Sequence, residues 1–219
     1  MLHGYLSCKE SFTLQTQYFK RYFDVHAIDL KGFGENRGME YPYSLSDYVN
    51  EVKDYLNDKG IVRPHVIGHS FGCRIIIKAV SETPEIFNKI VLTGAAGLKP
   101  KSSLVKLVKR ISFKTLKKFF PSEKLERFYS SDYLSLSPVM RESFIKIVNE
   151  HLDDRLKDVK NQTLIIFGKR DKETPVYMAK KLNKGILGSK LVIYPNAGHF
   201  CFIDQPLKFN MEVREFLLS

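Results

Sequence analysis

The chain has 219 residues, 43% of them hydrophobic, and a formal net charge of +11, so it can bury a full core and fits one domain better than two. Three cysteines, Cys8, Cys73 and Cys201, are too few and too scattered for a disulfide framework or a zinc site, which leaves small buried packing in a reducing compartment as their expected role. No apolar run approaches a membrane span, no charged-then-apolar leader is visible and no repeat occurs, so the expected location is the cytoplasm.

In chain order, Asp24 to Asp29 reads as a first strand and Pro64 to Ile67 as a short buried one. Gly68-His69-Ser70-Phe71-Gly72 follows, and Cys73 to Val80 reads as a helix. Glycines at 68 and 72 let that helix pack close to the strand and let Ser70 take an unusual backbone conformation with its hydroxyl pointing outward. The first N–H groups of the helix then face whatever Ser70 attacks. Lys89 to Thr93, Thr163 to Gly168 and Lys190 to Tyr194 are three more strand-like runs. Strands interleaved with helices predict an α/β fold with a mostly parallel sheet.

Asp171 lies three residues beyond the run that ends at Gly168, and His199 follows the run that ends at Tyr194. Both stand on loops at the carboxyl ends of predicted parallel strands, where open α/β sheets place their sites. A serine hydroxyl is a poor nucleophile at neutral pH, so an imidazole must take its proton and return it to the leaving group, and a carboxylate must fix the tautomer of that imidazole. Singly, Asp171 is also readable as a turn aspartate and His199 as a loop histidine. Together, in the order Ser70, Asp171, His199, they predict a catalytic triad.

With these segments in view, the chain resembles the α/β-hydrolase superfamily. The resemblance rests on His3-Gly4-Tyr5, Asp29-Leu30-Lys31-Gly32-Phe33-Gly34, Gly68-His69-Ser70-Phe71-Gly72, Gly168-Lys169-Arg170-Asp171 with Thr174-Pro175, and Gly198-His199-Phe200, which spread over almost the whole length. It implies helices on both faces of the sheet and an oxyanion hole formed by the backbone N–H groups of Tyr5 and Phe71. It also implies a strand leading into the His3-Gly4 loop from a central place in the sheet, yet only Met1 and Leu2 precede His3. The expectation is therefore either a rearranged sheet or, more economically, a fragment or misplaced start that alone folds poorly or is inactive and that an upstream apolar extension would restore.

The strand–helix rhythm breaks between Thr93 and Thr163, where the resemblance implies a cap: residues 1–98 and 160–219 are assigned to the core and 99–159 to a helical cap. Leu104, Leu107, Val108 and Ile111 share one helical face, and a second helix is expected over about Val139 to Leu152 with Met140, Phe144, Ile147 and Val148 on its apolar side. His69, Leu104, Val108, Met140, Phe144 and Phe200 are the expected pocket residues, although both apolar faces are equally readable as ordinary core packing. From Lys99 to Lys118 eight basic residues occur with no acid. That run suits a solvated face, peripheral contact with an anionic membrane or an anionic substrate, and no recognition motif for nucleic acid accompanies it.

The combined expectation is a serine hydrolase that cleaves a carboxylic ester or related acyl bond of a small molecule without metal or organic cofactor. Serine at position 70 sets the chain apart from the haloalkane dehalogenases and epoxide hydrolases, which carry aspartate there. Carbon–carbon bond hydrolase, perhydrolase and a non-catalytic ligand binder remain open alternatives on the same scaffold.

Overall fold

The computed structural model describes residues 1–101 and 136–219. Leu104, Val108 and the basic run beyond Lys101 lie outside the described residues. Four strands, β1 (Val66–His69), β2 (Ile90–Thr93), β3 (Thr163–Gly168) and β4 (Lys190–Tyr194), pair in parallel in the order β1-β2-β3-β4. The register sets Ile67 beside Val91, and Val91 beside Leu164.

Alternation along these strands explains the layers. Ile90, Leu92, Ile165 and Phe167 point into one hydrophobic cluster, whereas Val91, Leu164 and Ile166 point into a second one on the opposite face. Helices α2 (Leu45–Asp58), α3 (Phe71–Glu82), α4 (Pro138–Asn149) and α5 (Val176–Gly185) contribute to the first cluster. The second is covered by α1 (Thr13–Phe19), α6 (Cys201–Asp204) and α7 (Pro206–Leu218). A parallel sheet covered on both sides needs apolar residues at successive positions, which is why its strands read as unbroken apolar runs. Ile75, Ile76 and Ile77 on α3 are all fully buried, each contributing about 1.5–3 kcal/mol of hydrophobic stabilisation.

Element boundaries depart from the sequence reading in instructive ways. β1 runs on to His69, so the turn is confined to Ser70, and α3 starts at once at Phe71 instead of Cys73. The later helix ends at Asn149, with Leu152 beyond it in the core. Asp24 to Asp29 does not form the expected strand; only Ile28 enters a parallel bridge, with Leu2, which bridges Gly68 on its other side. Leu2 accordingly occupies the central place foreseen as empty: its N–H donates to the Ile67 carbonyl (2.9 Å) and its carbonyl accepts from His69 N–H (3.0 Å). A partner one residue deep cannot support a ladder along Asp24–Asp29, and cavities of about 230 and 160 Å³ flank Met1 beside His26 and His65. The Met1 ammonium donates to the His26 carbonyl (2.5 Å), and burial pulls it down to about pH 5.

Loop 29–36 is tied to α2. Ser44 caps that helix reciprocally with Asp47, and one turn in, Glu51 Oε1 accepts from Lys31 N–H (2.9 Å) and Asn36 Nδ2 (3.1 Å). Its other oxygen is buried without a partner, and burial lifts the carboxyl to about 7. A folded-state value above the ordinary 4.5 means the stabilisation is complete below pH 4.5 and disappears as pH rises through 7. Chemical denaturation at several pH values should therefore show stability falling across this window, and Glu51→Gln should flatten that part of the profile.

Gly72 faces the Leu2–His3 backbone so closely that a β-carbon would overlap the Leu2 carbonyl. Gly72→Ala should lower stability by about 1–3 kcal/mol, measured by thermal unfolding.

Candidate active site

Ser70 sits between β1 and α3 with φ +49° and ψ −103°, a conformation a non-glycine residue holds only when its surroundings impose it. Three residues do so: Ser70 N–H donates to the Thr93 carbonyl (3.0 Å), and its own carbonyl accepts from Ala96 N–H (3.2 Å) and Cys73 N–H (3.2 Å). In the first turn of α3, Gly72 N–H is taken by the His3 carbonyl (3.1 Å). Phe71 N–H donates to no described group, which leaves it available to an incoming oxygen.

The His3-Gly4-Tyr5 loop lies against this turn. Leu30 N–H donates to His3 Nε2 (3.1 Å), so the proton is on Nδ1, which donates to the Gly4 carbonyl (2.7 Å). Burial holds the imidazole below its ordinary value and keeps it in that neutral form. His3 thus orients the peptide that carries Tyr5 N–H. The Tyr5 hydroxyl donates to the Met140 carbonyl of α4 (3.1 Å), and its ring meets Phe33, Phe71 and Phe144 with centroids 4.9–5.5 Å apart.

Asp171 and His199 are in direct contact, with Nδ1 2.8 Å from Oδ2. Gly168 permits the approach of their two loops, since a β-carbon there would overlap the carbonyls of Ala197 and Gly198. Asp171 is buried and accepts four hydrogen bonds. Oδ1 takes Glu173 N–H (2.9 Å) and Thr174 N–H (2.8 Å), and Oδ2 takes Thr174 Oγ1 (2.7 Å) and His199. Burial pushes this carboxyl up, but the bonds from His199 and Thr174 outweigh it and hold it below its usual range. His199 packs on Gly94, the residue after the Thr93 carbonyl that binds Ser70. No hydrogen bond joins Ser70 Oγ to the imidazole among the described contacts; such contacts commonly tighten only with substrate in place.

The expected pocket residues divide. His69 is buried, with 1% exposure. The extension of β1 turns its side chain inward, where Nε2 donates to the His199 carbonyl (3.1 Å) and Nδ1 has no partner. Burial pulls it down to about 3, and it stays neutral. Met140 is also buried, packed on Gly32, while Phe144 is half-buried against Tyr5. Phe200 is exposed, with its ring 5.5 Å from that of His199. Cys73 and Cys201 are fully buried and their thiols are pushed up by burial, as suits packing. The sequence reading missed Thr174 and His69 as partners of the acid and of the histidine loop; the hydroxyl three residues after Asp171 was the available signal for the first.

A strained serine at the end of a parallel strand, with an acid–histidine pair on loops after two further strands of the same sheet, is the arrangement of the α/β-hydrolase class. A model of the alpha/beta hydrolase family matches residues 1–212, and the chain belongs to that family. Among its relatives, the AB hydrolase superfamily protein YisY of Bacillus subtilis is 27% identical over 239 residues, covering 98% of this chain and 89% of the relative. The 2-hydroxy-6-oxo-2,4-heptadienoate hydrolase of Pseudomonas putida is 23% identical, covering 91% and 80%. In three dimensions, a meta-cleavage product hydrolase from Pseudomonas fluorescens superposes with a TM-score of 0.76 at 24% identity, over 99% of this chain and 88% of that one. An esterase from Exiguobacterium antarcticum gives 0.79 at 22% identity, over 100% and 91%.

Thr174 supplies two of the four bonds that Asp171 accepts and so helps hold that buried carboxyl in its charged form. Thr174→Val, which removes the hydroxyl bond alone, should lower stability at neutral pH by about 1–3 kcal/mol in chemical denaturation, with Thr174→Ser close to wild type.

Proposed function

We propose that this chain is a serine hydrolase that cleaves a carboxylic ester or related acyl bond through an acyl-enzyme. The observation that carries the reading is the buried Asp171–His199 hydrogen bond at the sheet edge where Ser70 holds its strained turn. Ser70 attacks the acyl carbon while His199 Nε2 takes the hydroxyl proton; Nδ1 keeps its own proton because Asp171 Oδ2 accepts it. The same Nε2 then delivers the proton to the leaving group, and water repeats the cycle to release the acid. Phe71 N–H, with Tyr5 N–H from the loop that His3 orients, receives the developing oxyanion, each donor contributing about 3–4 kcal/mol to the transition state. In this reading α4 belongs to the cap, with Phe144 and Phe200 on the substrate side.

A second reading, hydrolysis of a carbon–carbon bond next to a ketone, uses the same residues. It is favoured by the names of two relatives, a 2-hydroxy-6-oxo-2,4-heptadienoate hydrolase and a meta-cleavage product hydrolase. A non-catalytic ligand binder would need none of the proton path.

A fluorophosphonate probe should label the protein and fail to label Ser70→Ala; a folded wild type that stays unlabelled would favour the binder. On p-nitrophenyl esters, His199→Ala and Asp171→Asn should each reduce kcat by about 10³-fold or more with KM little changed. Turnover of a vinylogous diketone with none of the esters would decide for the carbon–carbon reading.

A further inference from the structure

A pocket of about 500 Å³ lies between the loop that leaves β2 (Ala96–Lys101), the end of α4 and the start of α5. It shares walls with the candidate active site, since Ala96 N–H donates to the Ser70 carbonyl and Thr174 donates to Asp171. Leu98, Val148 and Met178 make its sides apolar.

Its charged lining is unbalanced. Arg74 of α3 is 9% exposed, and Nη1 donates to the carbonyls of Ile147 (2.8 Å) and Glu150 (2.9 Å). Nε and Nη2 bind no described group, and among the described residues no carboxylate forms an ion pair with this guanidinium. Nearby acids are already engaged: Glu150 pairs with Lys78, and Asp153 with Lys181 and with Lys99 N–H (2.9 Å). Burial lowers the Arg74 guanidinium to about 10, and the nearby charge of Glu150 offsets this only in part. Gly97, at φ +122°, lets the loop cross the arginine stem, where a β-carbon would stand 3.3 Å from Cγ.

At the rim, Lys99 and Lys101 are exposed. Tyr177 holds Lys101 there, its hydroxyl accepting Lys101 N–H (3.1 Å) and its ring lying 4.9 Å beneath the ammonium. His151 and Glu173 complete the titratable lining among the described residues. Among the described residues, three cations without an ion pair, Arg74, Lys99 and Lys101, therefore line an apolar trough that holds one carboxylate, Glu173.

We propose that this pocket binds a carboxylate at the far end of the acyl chain of the substrate, so that the enzyme acts on half-esters of dicarboxylic acids. The proposal rests on the acyl-hydrolase reading for its chemistry, with Lys99 and Lys101 drawing the anion in and Arg74 meeting it at the floor. The walls cover the methylenes between the carboxylate and the scissile carbonyl.

The test compares mono-p-nitrophenyl glutarate with p-nitrophenyl valerate, which has the same chain length without the charge. Wild type should favour the glutarate by about tenfold or more in kcat/KM, and Lys99→Glu/Lys101→Glu should reduce that ratio by about tenfold. Arg74→Gln should do the same if its thermal unfolding remains cooperative; if that variant fails to fold, the lysine pair decides alone. A wild-type ratio near one, or a ratio that survives charge reversal, overturns the proposal. If neither ester turns over, calorimetric titration with glutarate separates the two ideas. Binding that charge reversal abolishes keeps the pocket while the acyl-hydrolase reading falls, and absence of binding overturns the pocket.

Discussion

The candidate site is assembled around one close approach of backbone to backbone, that of the Leu2–His3 peptide to Gly72. Leu2 is hydrogen-bonded on both sides of Ile67–His69, and the His3 carbonyl takes Gly72 N–H in the first turn of α3. This is possible only because Gly72 has no side chain. Through that contact the loop bearing Tyr5 and the turn bearing Ser70 pack together, so the two candidate oxyanion donors are placed by main-chain packing, to which the His3 ring adds its bond to the Gly4 carbonyl. A site built this way takes its geometry from β1 and α3, which are buried over Val66–His69 and 71–80.

A second constraint is the cost of buried polar groups. His3, His69 and Asp171 are all nearly inaccessible, and each is resolved differently. His3 uses one ring nitrogen as acceptor and the other as donor, and is fully satisfied as a neutral ring. His69 satisfies Nε2 alone and leaves Nδ1 bare, a cost of about 1–3 kcal/mol that accompanies its grip on the His199 backbone. Asp171 keeps its charge by collecting four donors. The imidazole of His199 therefore faces a fixed negative charge on one side and the sheet edge on the other, the asymmetry that proton transfer from a hydroxyl requires.

Much of this was legible in the chain itself, for reasons that differ from place to place. β2 and β3 are buried on both faces and announce themselves as continuous apolar runs, and the glycines around Ser70 mark a turn that only small residues permit. The Ser44 and Asp47 pair was an equally plain start signal for α2, yet a coarse reading centred on strands passed it by. Asp24–Asp29 misled because its composition suits a strand while only Ile28 bridges a partner, and pairing is a property of two segments together. His69 misled for a related reason: the direction of a side chain next to a strained turn depends on where the strand ends. Arg74 and the acids around it could not be sorted from sequence at all, because which cation lacks a counter-charge depends on which acids Lys78 and Lys181 already hold.

Helix α4 is held at three points along its length. Near its start the Met140 carbonyl receives Tyr5, in its middle Ser143 Oγ accepts Tyr43 N–H, and at its end Arg74 binds two carbonyls while Lys78 binds Glu150. A rod pinned so often behaves as a strut between the oxyanion loop and the helix that follows the serine. Swinging it aside would break several bonds at once and disturb both donor groups, so molecules entering or leaving must pass along a different wall. Transit can then be altered by changing that other wall while the strut continues to hold the alignment on which bond cleavage depends.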